Sequence, residues 1–379
     1  MKNKIRDLSK KALDQYKKGN FDLAEEIYNK ILKVDQESFL SYYNIGIIKF
    51  YKKDYKKSED MLIKAFKLNN TSEKYFSAVI DILLTQNKNE KCKNFIKENS
   101  KNFNAKIISI SEEKIKHQNL LNEIINSYNG YENLNNSEIK KLLSKARLFN
   151  KKYKKNSVGL KFLAAILIKM ENKKIKRKRN FSEIINLLEE SYSINKNDLN
   201  VIFMLAGQYM DNSLTERAIG LYSLSSKYFP EEHLIYFNKG NANIVMGNTE
   251  RAIEDYLKAI ELKSNDYDSH LNLAKAYKDI NDLENSYKIY KKMIDLDSNN
   301  ASGFRGLGAV SILIGKLSDA EKYIKKSIKL DPENDDAKQN LSICFLRLGK
   351  LEEGVNFSQK NVGAIKFKNN KELGNFKVF

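Results

Sequence analysis

The sequence predicts an all-α fold, a right-handed α-solenoid of stacked antiparallel helix pairs, and three observations predict it. Five small residues, Ala206, Gly240, Ala274, Gly308 and Ser342, recur at intervals of 34 residues. A second ladder, Ala218, Ala252, Ser286, Ala320 and Gly354, follows twelve residues behind with the same interval. The only two prolines in 379 residues, Pro230 and Pro332, lie three periods apart. Such a period is the signature of repeats in which each unit buries its apolar face on its neighbours. The paired small residues mark where two helices of a unit cross closely, since Leu there would hold the axes apart. Proline lacks a backbone donor and clashes with the preceding turn, so it marks the end of a second helix.

Taken in order, the N-terminal part carries Leu8, Ala12, Gly19, Phe21, Ala24 and Tyr28, followed one period on by Tyr42, Gly46, Tyr55, Ser58 and Leu62. A third unit, 73–100, keeps the theme in degenerate form. From 101 to 156 the register fails, and 118–128 and 137–150 read as amphipathic helices around the loop NGYENLNN, a divergent pair and a bend. Residues 157–198, with Ala164 and Ile184 at the crossing positions, form a unit of 42 residues, eight longer than the rest. Four units then follow without a gap: 199–232, 233–266, 267–300 and 301–334. In the last of these Phe304, Leu307 and Gly308 lie on the first helix, Gly315 turns the chain, and Leu317, Ala320 and Ile324 open the second. A fifth begins at Asp335 and loses the pattern near Ser358. The expected divisions are therefore 1–100, 101–156, 157–360 and a non-repeat tail, 361–379. In the tail VGAIKF and GNFKVF read as extended stretches around Lys368, Asn369 and Asn370, expected to cover the apolar face of the last repeat or to dock on a partner.

Lys plus Arg exceed Asp plus Glu by 67 to 48, a formal charge of +19 that raises nucleic acid or an acidic partner. Arg, the residue of bidentate base and phosphate recognition, is scarce, and Lys, Asn and Ile are enriched throughout, so nucleic acid is the weaker reading. The opening MKNKIRDLSKKALDQYKKGNF has no apolar run, and none elsewhere reaches the length of a membrane span, so the expectation is a soluble cytoplasmic protein. Cys92 continues the small-residue series from Ser58, and Cys344 continues Ala242, Ala276 and Val310, which makes both packing residues. His117, His233 and His270 are too scattered for a metal site or a triad. Gly306, Gly308 and Ser311 mimic a glycine-rich nucleotide loop without the strand it needs, and Asp331, Glu333, Asp335 and Asp336 lack the ligand order of a calcium loop. No catalytic residue, metal or cofactor is expected.

Two groups of side chains invite a binding role. The excess turn of the long unit holds Lys173, Lys174, Lys176, Arg177, Lys178 and Arg179, which suit phosphate or an acidic peptide or are a solvated loop. Asn44, Asn238, Asn272 and Asn340 share the sixth position of their units, with Gly306 breaking the series, on the helices expected to line an inner wall. Asn offers donors and an acceptor to an extended backbone, or caps and solvates its own helix.

These residues resemble the tetratricopeptide repeat, with an aromatic at position 4, Leu then Gly or Ala at 7 and 8, Ala at 20, an aromatic at 24 and Pro at 32. Unit 233–266 supplies Tyr236, Gly240, Gly247, Ala252, Tyr256 and Ala259, while Lys239 replaces the usual Leu and, in the next unit, His270 the usual aromatic. The Asn ladder is similar to the groove asparagines of O-linked N-acetylglucosamine transferases. Asn241 and Asn272 match two positions of the carboxylate clamp of chaperone-binding repeats, where Phe237 replaces the expected Lys. Lys275, Lys278 and Arg305 would line the groove with positive charge suited to an acidic segment. The resemblance implies a non-catalytic scaffold that binds a protein or an extended peptide. The alternatives are a substrate-recognition subunit or remnant of a glycosyltransferase, sulfotransferase or hydroxylase acting in trans, and an RNA-binding helical repeat protein.

Overall fold

The computed structural model describes residues 2–172 and 181–361, which form twenty α-helices, two short 3₁₀ turns and, among the described residues, no strand. The chain divides into two compact units, Met1–Lys178 and Arg179–Phe379. The first holds α1 (Lys2–Lys17), α2 (Phe21–Val34), α3 (Phe39–Tyr51), α4 (Tyr55–Leu68), α5 (Glu73–Thr85), α6 (Asn89–Asn99), α7 (Ala105–Asn129), α8 (Asn136–Lys152) and α9 (Ser157–Asn172). The second holds α10 (Phe181–Ile194), α11 (Leu199–Asp211), α12 (Thr215–Ser225), α13 (His233–Val245), α14 (Thr249–Leu262), α15 (Tyr267–Asp279), α16 (Leu283–Leu296), α17 (Ala301–Leu313), α18 (Leu317–Leu330), α19 (Asp335–Arg347) and α20 (Leu351–Asn361). The long repeat read over 157–198 gives its first helix to one unit and its second to the other. Within each unit a helix packs on its sequence neighbours, as in an α-solenoid.

The period is written into the backbone as well as the side chains. Residues 19, 53, 87, 213, 247, 281, 315 and 349 all adopt positive φ, between 55° and 80°, where the first helix of a repeat turns into the second. Gly occupies four of these sites, and Lys53, Asn87, Ser213 and Asn281 hold the left-handed conformation that ends a helix in the others. The last residue of a repeat caps the next first helix. Ser72, Asp198, Glu232, Asp266, Asn300 and Asn334 each accept a backbone N–H of the turn they precede.

The two small-residue ladders meet at the helix crossings. Ala206, Ala218, Ala252, Ala274 and Ala320 are fully buried. Where Ser stands at a crossing, its hydroxyl reaches the facing ladder: Ser58 donates to the Gly46 carbonyl at 2.8 Å, Ser286 to Ala274 at 2.7 Å and Ser342 to Gly354 at 2.9 Å. A small side chain thus permits close approach and, as Ser, adds a bond across it.

The divergent stretch is larger than the sequence pattern suggests. The helix expected over 118–128 is the second half of α7, which begins at Ala105 behind an Asn104 cap, and Ile107, Ile108 and Ile115 join the core of α4, α5 and α6. In the following loop Tyr131 is fully buried, and Asn135 and Glu138 close a capping box on α8. Glu59 ties neighbouring repeats together, accepting Lys88 and Lys91 at 2.5 Å and the Gln86 amide at 2.8 Å. Burial alone would raise its carboxyl, yet these three donors hold it at about 2. The long basic turn and the C-terminal tail lie outside the described residues.

Candidate functional site

The first helices of the repeats carry the groove asparagines and cations singled out by the sequence. In the second unit Asn241 on α13 accepts the Tyr256 hydroxyl at 2.7 Å and the side-chain amide of Asn272, on α15, at 2.9 Å. Tyr256 lies at 1 % exposure beneath this pair, its hydroxyl pushed up by burial. Two of the asparagines singled out by the sequence are thereby joined into one bridge between adjacent repeats. Asn238 spends a donor on its own helix, at the Leu234 carbonyl, 2.8 Å away. Lys275 is exposed and Lys278 half-buried on α15, and neither forms an ion pair among the described residues. Arg305 on α17 is held by Asp336 of α19 at 2.8 Å, so its charge is already partnered. Asn340 is half-buried on α19, and Asn44 lies in the other unit, half-buried on α3.

Phe237, standing where a clamp would carry Lys, packs with its ring centroid 6.1 Å from that of Tyr256 and joins the core around Ala252 and Leu273. Lys239, at the usual Leu position, has a compensating partner that sequence reading missed. Its amine meets Asp255 at 2.8 Å, and the side-chain amide of Asn243 meets the other carboxylate oxygen at 2.8 Å. The signal was available: an acid sixteen residues after the misplaced cation lies on the second helix of the same repeat, across the crossing. His270 is fully buried, its Nδ1 2.9 Å from the Asp266 carbonyl, and burial lowers its pKa. Cys92 and Cys344 are fully buried as well, and burial pushes the Cys92 thiol up to about 11, which suits packing rather than reactivity.

The first unit presents different chemistry. Tyr43, Ile47, Phe50 and Tyr51 of α3 face Lys74, Ser77, Ala78, Asp81 and Ile82 of α5 across a cavity of about 450 Å³ floored by Leu62. The spacing of three and four residues on each helix, the mark of one helical face, was the signal, masked because these residues also read as ordinary repeat hydrophobics. Among the described residues no cluster of His, Cys, Asp and Glu could hold a metal ion, and no helix is long and apolar enough to cross a membrane.

A family model described as TPR repeat matches residues 240–281, and one described as Tetratricopeptide repeat matches residues 40–72 and 267–300. No curated protein matches the chain. Among solved structures the chain is similar to a tetratricopeptide repeat protein from Parabacteroides merdae ATCC 43184, at 16 % identity and a TM-score of 0.48, covering 67 % of this chain and 96 % of that one. It is also similar to MamA, at 20 % identity and a TM-score of 0.40 over 42 % of this chain and 92 % of that one. YrrB, described as a TPR protein with an unusual peptide-binding site, matches at 13 % identity and a TM-score of 0.42 over 54 % and 98 %. The matched segments coincide with helix pairs whose turns, caps and crossings repeat every 34 residues, and over 40–72 and 240–300 the chain carries tetratricopeptide repeats.

Proposed function

We propose that the protein is a non-catalytic scaffold that holds an extended protein segment along the first helices of its second unit. The observation that carries this reading is the Asn241–Asn272 bridge, fixed from beneath by Tyr256, with Lys275 and Lys278 on the same helix as Asn272 and forming no ion pair among the described residues. A polar strip already held in place reduces the ordering cost of binding. Asn side chains serve a peptide backbone without demanding a sequence, and the two lysines favour acidic character.

The test replaces Asn238, Asn272 and Lys275 together by Ala and compares crosslinked partners with those of the unaltered protein, with helical content as the folding control. Loss of the major crosslinked species with intact helicity is expected. Undiminished crosslinking would remove this surface as the binding site.

A further inference from the structure

The cavity between α3 and α5 is walled by aromatic rings of α3 that reach its surface and are held by neighbouring rings. Tyr51 keeps 58 % of its surface in water, yet its ring stacks on Phe21 with centroids 5.7 Å apart and lies 6.5 Å from Tyr16. Tyr43 is held against Tyr75 at 5.0 Å, and Phe50 against Tyr55 at 5.8 Å. The opposite wall is low because α5 places Ser77 and Ala78 there, and this absence of bulk is what leaves about 450 Å³ open. That volume lies within the range of roughly 300–1,000 Å³ typical of ligand pockets.

Charge at the rim is asymmetric. Asp81 is neutralised by Lys114, 2.7 Å away, which also reaches Ser77 Oγ at 3.0 Å. Lys74 sits 4.2 Å above the Tyr43 ring and forms no ion pair among the described residues. The site thus combines an apolar slot with one cation at its edge that rests on a ring face and has no carboxylate partner among the described residues. A small polar metabolite would leave the rings wet, and a basic segment would meet Lys74 with like charge.

We propose that this cavity is a specificity pocket for one large aromatic side chain of an extended partner segment, with an acidic residue of that segment held by Lys74. The proposal rests on the scaffold reading above but concerns a separate surface. Fixed rings offer an aromatic guest offset and edge contacts without rearranging, and the acid fixes the direction of the segment.

The chain contains no tryptophan, which supplies a clean probe. A synthetic Gly/Ser peptide carrying Asp and, close after it, Trp brings the sole indole to a mixture with the full-length protein. A blue shift of its emission on titration reports entry into an apolar site. Ala78→Leu, which fills the slot from the low wall, should weaken binding roughly tenfold or more. Lys74→Glu should weaken the Asp peptide and strengthen one in which Lys replaces Asp, a charge exchange that an exposed position permits without unfolding. A Trp that does not shift, or binding unchanged in both variants, overturns the pocket. The second-unit triple variant should bind the peptide normally, so failure here and failure of the scaffold reading are told apart.

Discussion

Adding a single methyl group at Gly240 sets two effects of opposite sign against each other, and the structure decides between them. Ala is intrinsically better than Gly inside a helix by about 0.8–1.0 kcal/mol. A Cβ on Gly240, however, would lie 2.6 Å from Cε1 and 2.8 Å from Cδ1 of Tyr256. That ring is 1 % exposed and packed with Ala252, Ile253 and Leu273, and its hydroxyl is tied to Asn241. Overpacking costs about 1–3 kcal/mol, and loss of the hydroxyl bond adds about 0.5–1.5 kcal/mol. Gly240→Ala should therefore destabilise the second unit by a net of about 0.5–3.7 kcal/mol. Gly220, mid-helix in α12 with no heavy atom within 4 Å of its would-be Cβ, is the control: Gly220→Ala should stabilise by about 0.8–1.0 kcal/mol. Urea unfolding followed by helical circular dichroism reads both. A Gly240→Ala protein as stable as the unaltered chain, beside a stabilised Gly220→Ala, would refute the close crossing. Because the displaced ring also supports the Asn241–Asn272 bridge, partner crosslinking should fall with it.

The Lys239–Asp255 pair should behave as a partly buried ion pair. Lys239→Met leaves an 8 %-exposed carboxylate with only Asn243 and should cost about 2 kcal/mol, less than a fully buried pair because a quarter of the Lys239 side chain stays in water. Adding Asp255→Leu should restore most of that loss, and a double-mutant cycle in urea showing simple additivity would dismiss the coupling. His117 supplies a pH dependence. Asn156 Oδ1 accepts the Gly159 N–H at 2.7 Å, so its amide group faces His117 Nε2 at 3.0 Å and the ring must accept. Burial lowers the His117 pKa while Glu113, bonded to Tyr153 and Lys152, opposes the shift, and Lys114, Lys154 and Lys155 line the adjoining cavity. A depressed folded pKa means this contribution is complete above the ordinary histidine value of about 6.5 and is lost as pH falls below it. His117→Gln keeps an acceptor without the titration, so its unfolding midpoint should lose less than the unaltered chain's below that pH; parallel curves would contradict the assignment.

The 34-residue period carried helix order, crossings and turns, because each depends on a small residue or a backbone conformation that few side chains tolerate. It located helix pairs even where residue types had drifted, as at Ser58 and Ser286. It failed over 105–129, where α7 joins a core through Ile107, Ile108 and Ile115 without obeying the period. The candidate site was legible as positions, not as bonds. Asn241 and Asn272 were readable as first-helix residues, but their joining depends on Tyr256 reaching between helices, and Arg305 read as free charge until Asp336 was seen beside it.

Two substitutions show how a repeat can change its chemistry without losing its packing. At Lys239 a cation replaces an apolar residue, and the exchange is tolerable because Asp255 pairs the ammonium while Asn243 donates to the second carboxylate oxygen. At Phe237 the reverse occurs: a ring replaces a cation of the clamp and is absorbed into the core around Tyr256. Residue 237 consequently offers no cation to a terminal carboxylate, and the first helices beside it carry the asparagine bridge together with Lys275 and Lys278. In the first unit, repeat positions 5, 9, 12 and 13 are Tyr43, Ile47, Phe50 and Tyr51, where 267–300 carries Leu271, Lys275, Lys278 and Asp279. One backbone period thus presents an aromatic slot in one unit and a polar strip in the other, because a few positions change side chain while the helices that hold them keep their packing.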